Sequence, residues 1–310
     1  MLPTADEILE RAHVVALPMA VKFRGITTRE ALLIDGPAGW GEFSPFVEYD
    51  AREPAAWLRA GIEAAFTGLP EAHGTVEVNG TIPAVEDVEP VLARFPGVTT
   101  FKIKVAESSQ SLDDDLRRVT AVRRLRPDAK LRVDANRGWS VDQAVEAAAA
   151  MGELEYIEQP CATVEELAEV RRRTTTPIAA DESIRRASDP YRVAELKAAD
   201  VAVCKVAPLG GVDRLVQIAR DLALDVTVAS ALDTAASCVT TSLQSLPSSI
   251  IRTTAPSCPW ARLSRLSVGV RSVVSSCMTS PEGFGVGTSY APGGVLNTHG
   301  GIRHTVRAHI

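Results

Sequence analysis

The sequence predicts an α/β protein built on a TIM-type barrel of parallel strands, and three observations support this prediction. From residue 75 onward, seven short apolar stretches alternate with six amphipathic stretches, which favours parallel strands joined by helices. Polar residues end four successive strands at intervals of 24, 23 and 24 residues, which is about the length of one strand and helix. A doubly wound sheet concentrates its chemistry at one switch point, whereas a barrel distributes it over several strand ends.

The elements divide the chain into a first unit at 1–74, a barrel at 75–234 and a C-terminal tail at 235–310. In the first unit, strand-like stretches at 13–17, 31–36 and 40–43 precede a helical pattern at 53–66. The barrel strands are predicted at 75–82, 99–105, 130–135, 155–158, 177–181, 201–206 and 225–229. The barrel helices are predicted near 86–94, 111–125, 140–151, 163–173, 189–197 and 211–223. Capping signals at Ser111, Ser140 and Thr163 mark three of the helix starts.

The C-terminal tail differs sharply in composition from the rest of the chain. Its 76 residues contain one acidic residue, Glu282, and no lysine, but 13 serines and 8 threonines. The last barrel elements belong in this region, yet the tail has poor periodicity, so we expect it to lack a normal eighth strand. We attribute the change to a shift of reading frame or an error in the gene model near 235–250; a genuine lineage-specific or disordered tail is the alternative.

Composition excludes several classes of protein. The 310 residues are 45% hydrophobic and 23% charged, with a net charge of −6, which gives no basic footprint for nucleic acid or a membrane surface. The five cysteines form no CxxC pair, and the first residues do not resemble a signal peptide, so we expect a reduced, cytoplasmic protein. Nucleotide-binding loops and serine-nucleophile motifs are not found in the sequence.

Three acidic residues, Asp134, Glu158 and Asp181, end successive predicted strands. Each of these residues, taken alone, could as well be a helix cap or a surface charge as a metal ligand. Brought together at one edge of a barrel, however, three carboxylates repel each other unless a cation lies among them. Ligation by oxygen alone selects a hard divalent ion, most simply Mg²⁺. The spacing therefore predicts a metal site.

Lysines accompany these acids. Lys102 and Lys104 alternate with apolar residues at 101–105, so both are predicted to face the barrel interior, although a solvated strand edge is the alternative. Lys205 ends an apolar strand, where burial and a nearby cation would lower its pKa, as a general base requires. Asn136 is a candidate to support the metal or the substrate. Glu182 is expected to point away from Asp181 and to play a supporting part.

The motifs Lys102-x-Lys104, Asp134-x-Asn136, Glu158-Gln159-Pro160, Asp181-Glu182-Ser183 and Lys205 resemble those of the enolase superfamily, in its muconate-lactonizing subgroup. Within the subgroup, Phe23-Arg24-Gly25 and the segment 39–46 most resemble the actinobacterial o-succinylbenzoate synthases. The resemblance covers about residues 10–234. It implies a (β/α)₇β TIM-type barrel with an α+β capping domain, which is formed by the N-terminal unit and the end of the chain.

The resemblance also implies roles for individual residues. Asp134, Glu158 and Asp181 would bind Mg²⁺, Lys104 would be the base with Lys102 as its electrostatic neighbour, and Lys205 would face it across the substrate. Arg24 would belong to a loop that closes over the site, and residues 230–234, beginning with Ser230, would help to hold a succinyl group. The implied partner is a small-molecule carboxylate substrate, dehydrated in menaquinone biosynthesis.

Two alternatives to dehydration stay open. Racemisation of N-acylamino acids, epimerisation of dipeptides and cycloisomerisation of muconate use the same pair of opposed lysines. A catalytically inactive remnant is the other alternative, because of the unusual C-terminal tail.

Overall fold

The computed structural model describes residues 2–23, 26–47, 49, 53–69, 77–186, 188–222, 224–234 and 251–253. Over these ranges it confirms the predicted α/β class and the alternation of strands and helices. The capping unit at the N-terminus and the barrel are both present. No helix in this part of the chain combines the length and apolarity that a membrane span requires.

Over its described residues, the capping unit is an antiparallel three-stranded sheet with a helix packed on it. Its elements are α1 (Ala5–Glu10), β1 (Ala12–Phe23), β2 (Ile26–Gly36), β3 (Gly39–Phe43) and α2 (Glu53–Ile62), which continues into a π-helical turn at Glu63–Thr67. Glycine lets the helix approach the sheet closely: a Cβ on Gly41 would lie 2.0 Å from the carbonyl oxygen of Gly61. The sequence pattern missed α1, whose start is fixed by a capping box between Thr4 and Glu7.

In the described part of the chain the barrel sheet contains eight strands, and neighbouring strands are parallel throughout. These are β4 (Gly80–Ile82), β5 (Thr100–Lys104), β6 (Lys130–Asp134), β7 (Tyr156–Glu158), β8 (Ile178–Ala180), β9 (Val201–Lys205), β10 (Asp225–Ala229) and β11 (Ile251–Thr253). Their spatial order follows the sequence from β4 to β11. Such an order is what successive right-handed crossovers through helices produce.

Most of the connecting helices begin within one residue of the predicted position, whereas the first begins three residues later than predicted. They are α3 (Glu89–Leu92), α4 (Leu112–Leu125), α5 (Val141–Met151), α6 (Val164–Arg173), α7 (Asp189–Glu195), α8 (Val206–Leu209) and α9 (Val212–Asp221). Ser111, Ser140 and Thr163 each form a full capping box with the residue three positions later. Only the short α8 was not predicted. It directly continues β9 and ends at Gly210 in the left-handed conformation.

We expect the tail to lack a normal eighth strand, and within the described residues a strand of three residues lies at this position. Ile251–Thr253 pairs in parallel with β10, with Val226 opposite Ile251. This strand is three residues long, which is too short to show periodicity in the sequence. Within the described residues, β4 and β11 form the two ends of the sheet. Residues 235–250 and 254–310 of the tail lie outside the described ranges.

The two faces of the sheet serve different purposes. Phe101, Ile103 and Val105 are buried against the helices, so the alternation of β5 turns Lys102 and Lys104 to the interior, as predicted. A small apolar cluster fills the interior below the polar strand ends, formed by Tyr156, Ala179, Val201, Val203 and Ala229. This packing fixes the register of the strands, because a slip of one residue would exchange the two faces.

Candidate active site

Strand register places the predicted polar residues at one edge of the sheet. Lys104 lies opposite Asp134, and Asp134 lies opposite Glu158 on the next strand. Ala180, which precedes Asp181, lies opposite Ala202 of β9, and Lys205 ends that strand. The structure therefore brings together the strand-end residues that the spacing singled out.

Asp134 and Glu158 form a buried ionic cluster with two lysines. Lys102 Nζ lies 2.7 Å from Glu158 Oε1 and 3.0 Å from Asp134 Oδ2. Lys104 Nζ lies 2.6 Å from the same Asp134 oxygen. The acid side chains are almost inaccessible, whereas the side chains of Lys102 and Lys104 are 13% and 26% exposed. Lys104 is thus the more accessible of the two amines.

The two acids respond in opposite ways to this environment. Burial raises the pKa of Asp134, but the charges of Lys102 and Lys104 outweigh burial and hold the pKa below its ordinary value. For Glu158, burial and then the negative charge of Asp134 raise the pKa to about 7. Its Oε2 atom is buried and has no hydrogen-bond partner among the described residues. Additional positive charge beside this oxygen would stabilise the ionised form of Glu158.

Lys205 forms the second ionic contact of the site. Its Nζ pairs with Asp181 Oδ1, and its side chain is 24% exposed. Burial lowers the pKa of Lys205, but the Asp181 carboxylate outweighs this effect and raises the pKa above its ordinary value. Without a cation beside it, Asp181 thus acts as a direct counter-ion to the amine. The expected lowering depends on a nearby cation and stays a prediction.

Asn136 connects Lys104 to Glu182. The Asn136 side-chain oxygen accepts a hydrogen bond of 2.6 Å from Lys104 Nζ, and its amide nitrogen donates to Glu182 Oε1 at 2.9 Å. The residue adopts a positive φ of 44°, and its backbone N–H donates to Asp134 Oδ1. Glu182 therefore orients the Asn136 amide so that the amide oxygen faces Lys104. Glu182 thus supports Lys104 indirectly, through Asn136.

Gln159 is a structural residue of the site whose role the sequence reasoning missed. Its side chain is fully buried, and its Oε1 accepts hydrogen bonds from the backbone N–H groups of Asp181 (3.0 Å) and Ser183 (3.1 Å). Its Nε2 donates to Ser183 Oγ at 2.8 Å. Gln159 thereby fixes the turn that carries Asp181. The sequence feature that could have indicated this role is the position of Gln159 between the strand-end acid Glu158 and Pro160.

A second missed network joins the capping unit to the loop after β10. The Glu42 carboxylate accepts hydrogen bonds from the backbone N–H (3.0 Å) and the hydroxyl (2.5 Å) of Thr234. Arg29 donates to the carbonyl oxygen of Leu232 at 3.1 Å and to Ser44 Oγ at 3.0 Å. The capping unit therefore holds residues 230–234 directly, although these partners are 192 and 203 positions apart in the sequence.

Of the predicted substrate-binding residues Ser230 and Arg24, the structure describes only Ser230. Ser230 follows β10 at the same edge of the sheet as the acids. Its hydroxyl donates to Asp233 Oδ2 at 3.0 Å and accepts from the N–H of Leu232 at 3.2 Å, so it shapes its own loop. Arg24 lies outside the described residues.

The oxygen ligands predicted for a metal are separated by amines. Within the described ranges, no three carboxylate, imidazole or thiol groups are grouped so that they could hold a metal ion. Instead, Lys102, Lys104 and Lys205 each contact at least one of Asp134, Glu158 and Asp181. A cation that bound these acids would have to compete with the ammonium groups. The metal assignment therefore stays a proposal.

Comparison with protein families identifies both parts of the chain. Residues 14–65 match the model of the enolase N-terminal domain-like family, and residues 86–292 match that of the enolase C-terminal domain-like family. The second match extends well beyond Thr234, where we expected the resemblance to end. The C-terminal tail therefore retains family-like sequence over part of its length.

Individual proteins are also similar. The o-succinylbenzoate synthase of Mycolicibacterium smegmatis is 62% identical over 238 residues, which is 75% of this chain and 74% of that protein. The o-succinylbenzoate synthase of Mycobacterium leprae is 59% identical over 239 residues, which is 75% of this chain and 71% of that protein. Among solved structures, the muconate lactonizing enzyme of Pseudomonas putida shares the fold with a TM-score of 0.64 at 22% identity, covering 78% of this chain and 85% of that one. The chain belongs to the enolase superfamily and, within it, to the family of the o-succinylbenzoate synthases.

Proposed function

We propose that this chain is a lyase that dehydrates 2-succinyl-6-hydroxy-2,4-cyclohexadiene-1-carboxylate to 2-succinylbenzoate, with Lys104 as the base. The observation that carries the proposal is the placement of two accessible lysines, Lys104 and Lys205, on strands separated by three others around a cluster of carboxylates. The names and identities of the mycobacterial relatives support this reaction. We place it in menaquinone biosynthesis in the cytoplasm.

The reaction requires a base that then acts as an acid. Acting as the base, Lys104 removes the proton from the carbon that bears the carboxylate, and the electron pair moves into that carboxylate as an enediolate. The electron pair then returns toward the ring and expels the ring hydroxyl, which takes the proton back from Lys104 and leaves as water. Because one amine performs both transfers, the hydrogen and the hydroxyl depart from the same face, which makes the elimination syn.

The other residues stabilise charge and fix positions. Protonated Lys205, whose pKa is raised by Asp181, is suited to stabilise the enediolate by its charge. Lys102 is the least exposed of the three amines and contacts two acids, which suits an electrostatic role and not direct proton transfer. Asn136, held by Glu182, accepts a hydrogen bond from Lys104 and thereby orients the amine.

The oxygen chemistry of the three acids suits a hard divalent cation, which we propose to be Mg²⁺, bound in place of their lysine contacts. Asp134, Glu158 and Asp181 would hold it, since all three offer carboxylate oxygens. The unpartnered and buried Glu158 Oε2, together with the raised pKa of Glu158, supports a demand for positive charge at this position. When bound, the ion supplies Lewis-acid neutralisation of the charge that develops on the substrate carboxylate.

The test is an assay of the full chain with the cyclohexadiene substrate and Mg²⁺. Formation of the aromatic product is expected as a rise in ultraviolet absorbance, and removal of divalent ions with a chelator is expected to abolish it. Full activity after exhaustive chelation would exclude the metal assignment. A chain that racemises N-acylamino acids and does not dehydrate would favour the racemase alternative. A folded chain that binds substrate and performs neither reaction would favour the inactive remnant.

A further inference from the structure

A buried ion pair lies behind the strand that carries Lys104. Asp115 and Arg118 stand one turn apart on α4, and both side chains are almost completely buried. Arg118 Nη1 lies 2.8 Å from Asp115 Oδ1. Burying two charges costs free energy unless further hydrogen bonds satisfy them. The other hydrogen-bond partners of this pair therefore indicate its role.

Both members of the pair bind the backbone at the end of β5. Arg118 Nη1 donates to the carbonyl oxygen of Lys104 at 2.9 Å. Asp115 Oδ2 accepts from the backbone N–H of Ala106 at 2.9 Å. The pair therefore holds the peptide groups on either side of Val105. Ala106 has a positive φ of 62°, a conformation that a residue with a Cβ rarely adopts without support.

The same guanidinium also fixes the neighbouring strand connection. Arg118 Nε donates to the carbonyl oxygen of Val85 at 3.0 Å, in the segment that follows β4. Arg118 Nη2 donates to Gln110 Oε1, and Gln110 Nε2 donates to the carbonyl oxygen of Ala84 at 3.0 Å. One planar, five-donor group thus ties the ends of β4 and β5 to α4. A lysine could not reproduce this, because its single nitrogen cannot span the acceptors.

We infer that the Asp115–Arg118 pair is a positioning element for Lys104. The amine of Lys104 sits on a flexible four-carbon stem, so its location depends on where the backbone of residues 104–106 is held. A displacement of about 1 Å in a reacting group can cost about 100-fold in rate. The pair touches no reacting atom and acts only through this backbone. The inference rests on the proposed role of Lys104 as the base.

The experiment compares Arg118→Lys with Arg117→Lys in the full chain. Arg117 is the matched control, because it pairs with Asp114 in the same i, i+3 arrangement on the exposed face of α4. Amide hydrogen exchange is measured at Ala106, and kcat, KM and Mg²⁺ affinity are measured on the folded fraction. For Arg118→Lys we expect exchange at Ala106 to become about 10-fold faster or more and kcat to fall about 10- to 100-fold. KM and Mg²⁺ affinity should stay within about 2-fold of the parent in both variants, and Arg117→Lys should leave all four quantities unchanged.

A merely structural pair would give a different result. It would lower the folded fraction but leave kcat per folded molecule at the parent value, and that outcome overturns the inference. Unchanged exchange at Ala106 overturns it as well. Where Arg118→Lys does not fold, Gln110→Ala removes one support of the guanidinium and is judged by the same two criteria.

A parallel Lys104→Ala variant separates the two proposals. If it keeps normal turnover, the proposed function fails, and this inference falls with it. If Lys104→Ala loses turnover while Arg118→Lys retains the parent kcat, only the inference fails.

Discussion

Replacement of Asp233 by Asn is expected to stabilise the protein above pH 6. Asp233 lies in the loop after β10, where burial and then the neighbouring charge of Glu42 raise its pKa from 3.8 to about 6. The N–H of Ala231, the hydroxyl of Ser230 and the charge of Arg29 act in the opposite direction but do not outweigh this effect. The ionised side chain of Asp233 therefore destabilises the folded state.

The size and sign of the effect follow from the shift in pKa. Between about pH 4 and pH 6 the unfolded chain loses the Asp233 proton while the folded chain retains it, so the free energy of unfolding falls as the pH rises. A shift of about 2 pKa units corresponds to about 3 kcal/mol at most. Solvent reaches part of this side chain and screens the interaction, so we expect about 1–2 kcal/mol. Asn cannot ionise and should avoid this loss.

The assay is urea denaturation of the parent and of Asp233→Asn at several values between pH 4 and pH 8. Other groups titrate in both proteins, so the difference between the two curves isolates Asp233. We expect that difference to be near zero at pH 4 and to grow in favour of the variant up to about pH 6.5. Replacement of the exposed Asp128 by Asn serves as the control. Parallel curves for the parent and Asp233→Asn would refute the reasoning.

Three further predictions concern the site and the capping unit. Lys104→Ala and Lys205→Ala should each lower kcat by at least about 100-fold while substrate still binds; near-normal turnover in either variant removes that lysine from the mechanism. Asp181→Asn should weaken Mg²⁺ binding, measured by titration calorimetry, more than Glu182→Gln does, because Glu182 contacts Asn136 and supports the site indirectly; the reverse order would exchange their roles. Gly41→Ala should lower the free energy of unfolding by about 2–3 kcal/mol or more, since its Cβ would meet the Gly61 carbonyl oxygen. A loss of less than about 1 kcal/mol would contradict the packing argument.

The strand-end residues could be predicted because they depend on a local and repeated pattern. The strand, helix and loops of each unit from β6 to β9 add up to a nearly constant total length, so a spacing of 23 or 24 residues carries Asp134, Glu158 and Asp181 to the same edge. Alternation within a strand then decides which face each side chain meets, as it does for Lys102 and Lys104.

Other features depend on information that no local pattern contains. The contacts of Arg29 with Leu232 and of Glu42 with Thr234 require the capping unit and the barrel to be docked. The raised pKa of Lys205 depends on the distance to Asp181 and not on burial alone. The three residues of β11 are too few for a periodicity, and only their pairing with β10 reveals the strand.

The junction between the capping unit and the loop after β10 also has a consequence for the order of folding. The acids and lysines lie on consecutive strand–helix units, so their contacts close loops of moderate length. The partners at the junction are 192 and 203 residues apart, and such distant contacts are costly in chain entropy until most of the intervening chain is ordered. The edge of the site formed by residues 230–234 is therefore expected to be the last part to assemble. A chain that stops folding before this step would have its acids and lysines in place, while residues 230–234 would not yet be ordered beside them.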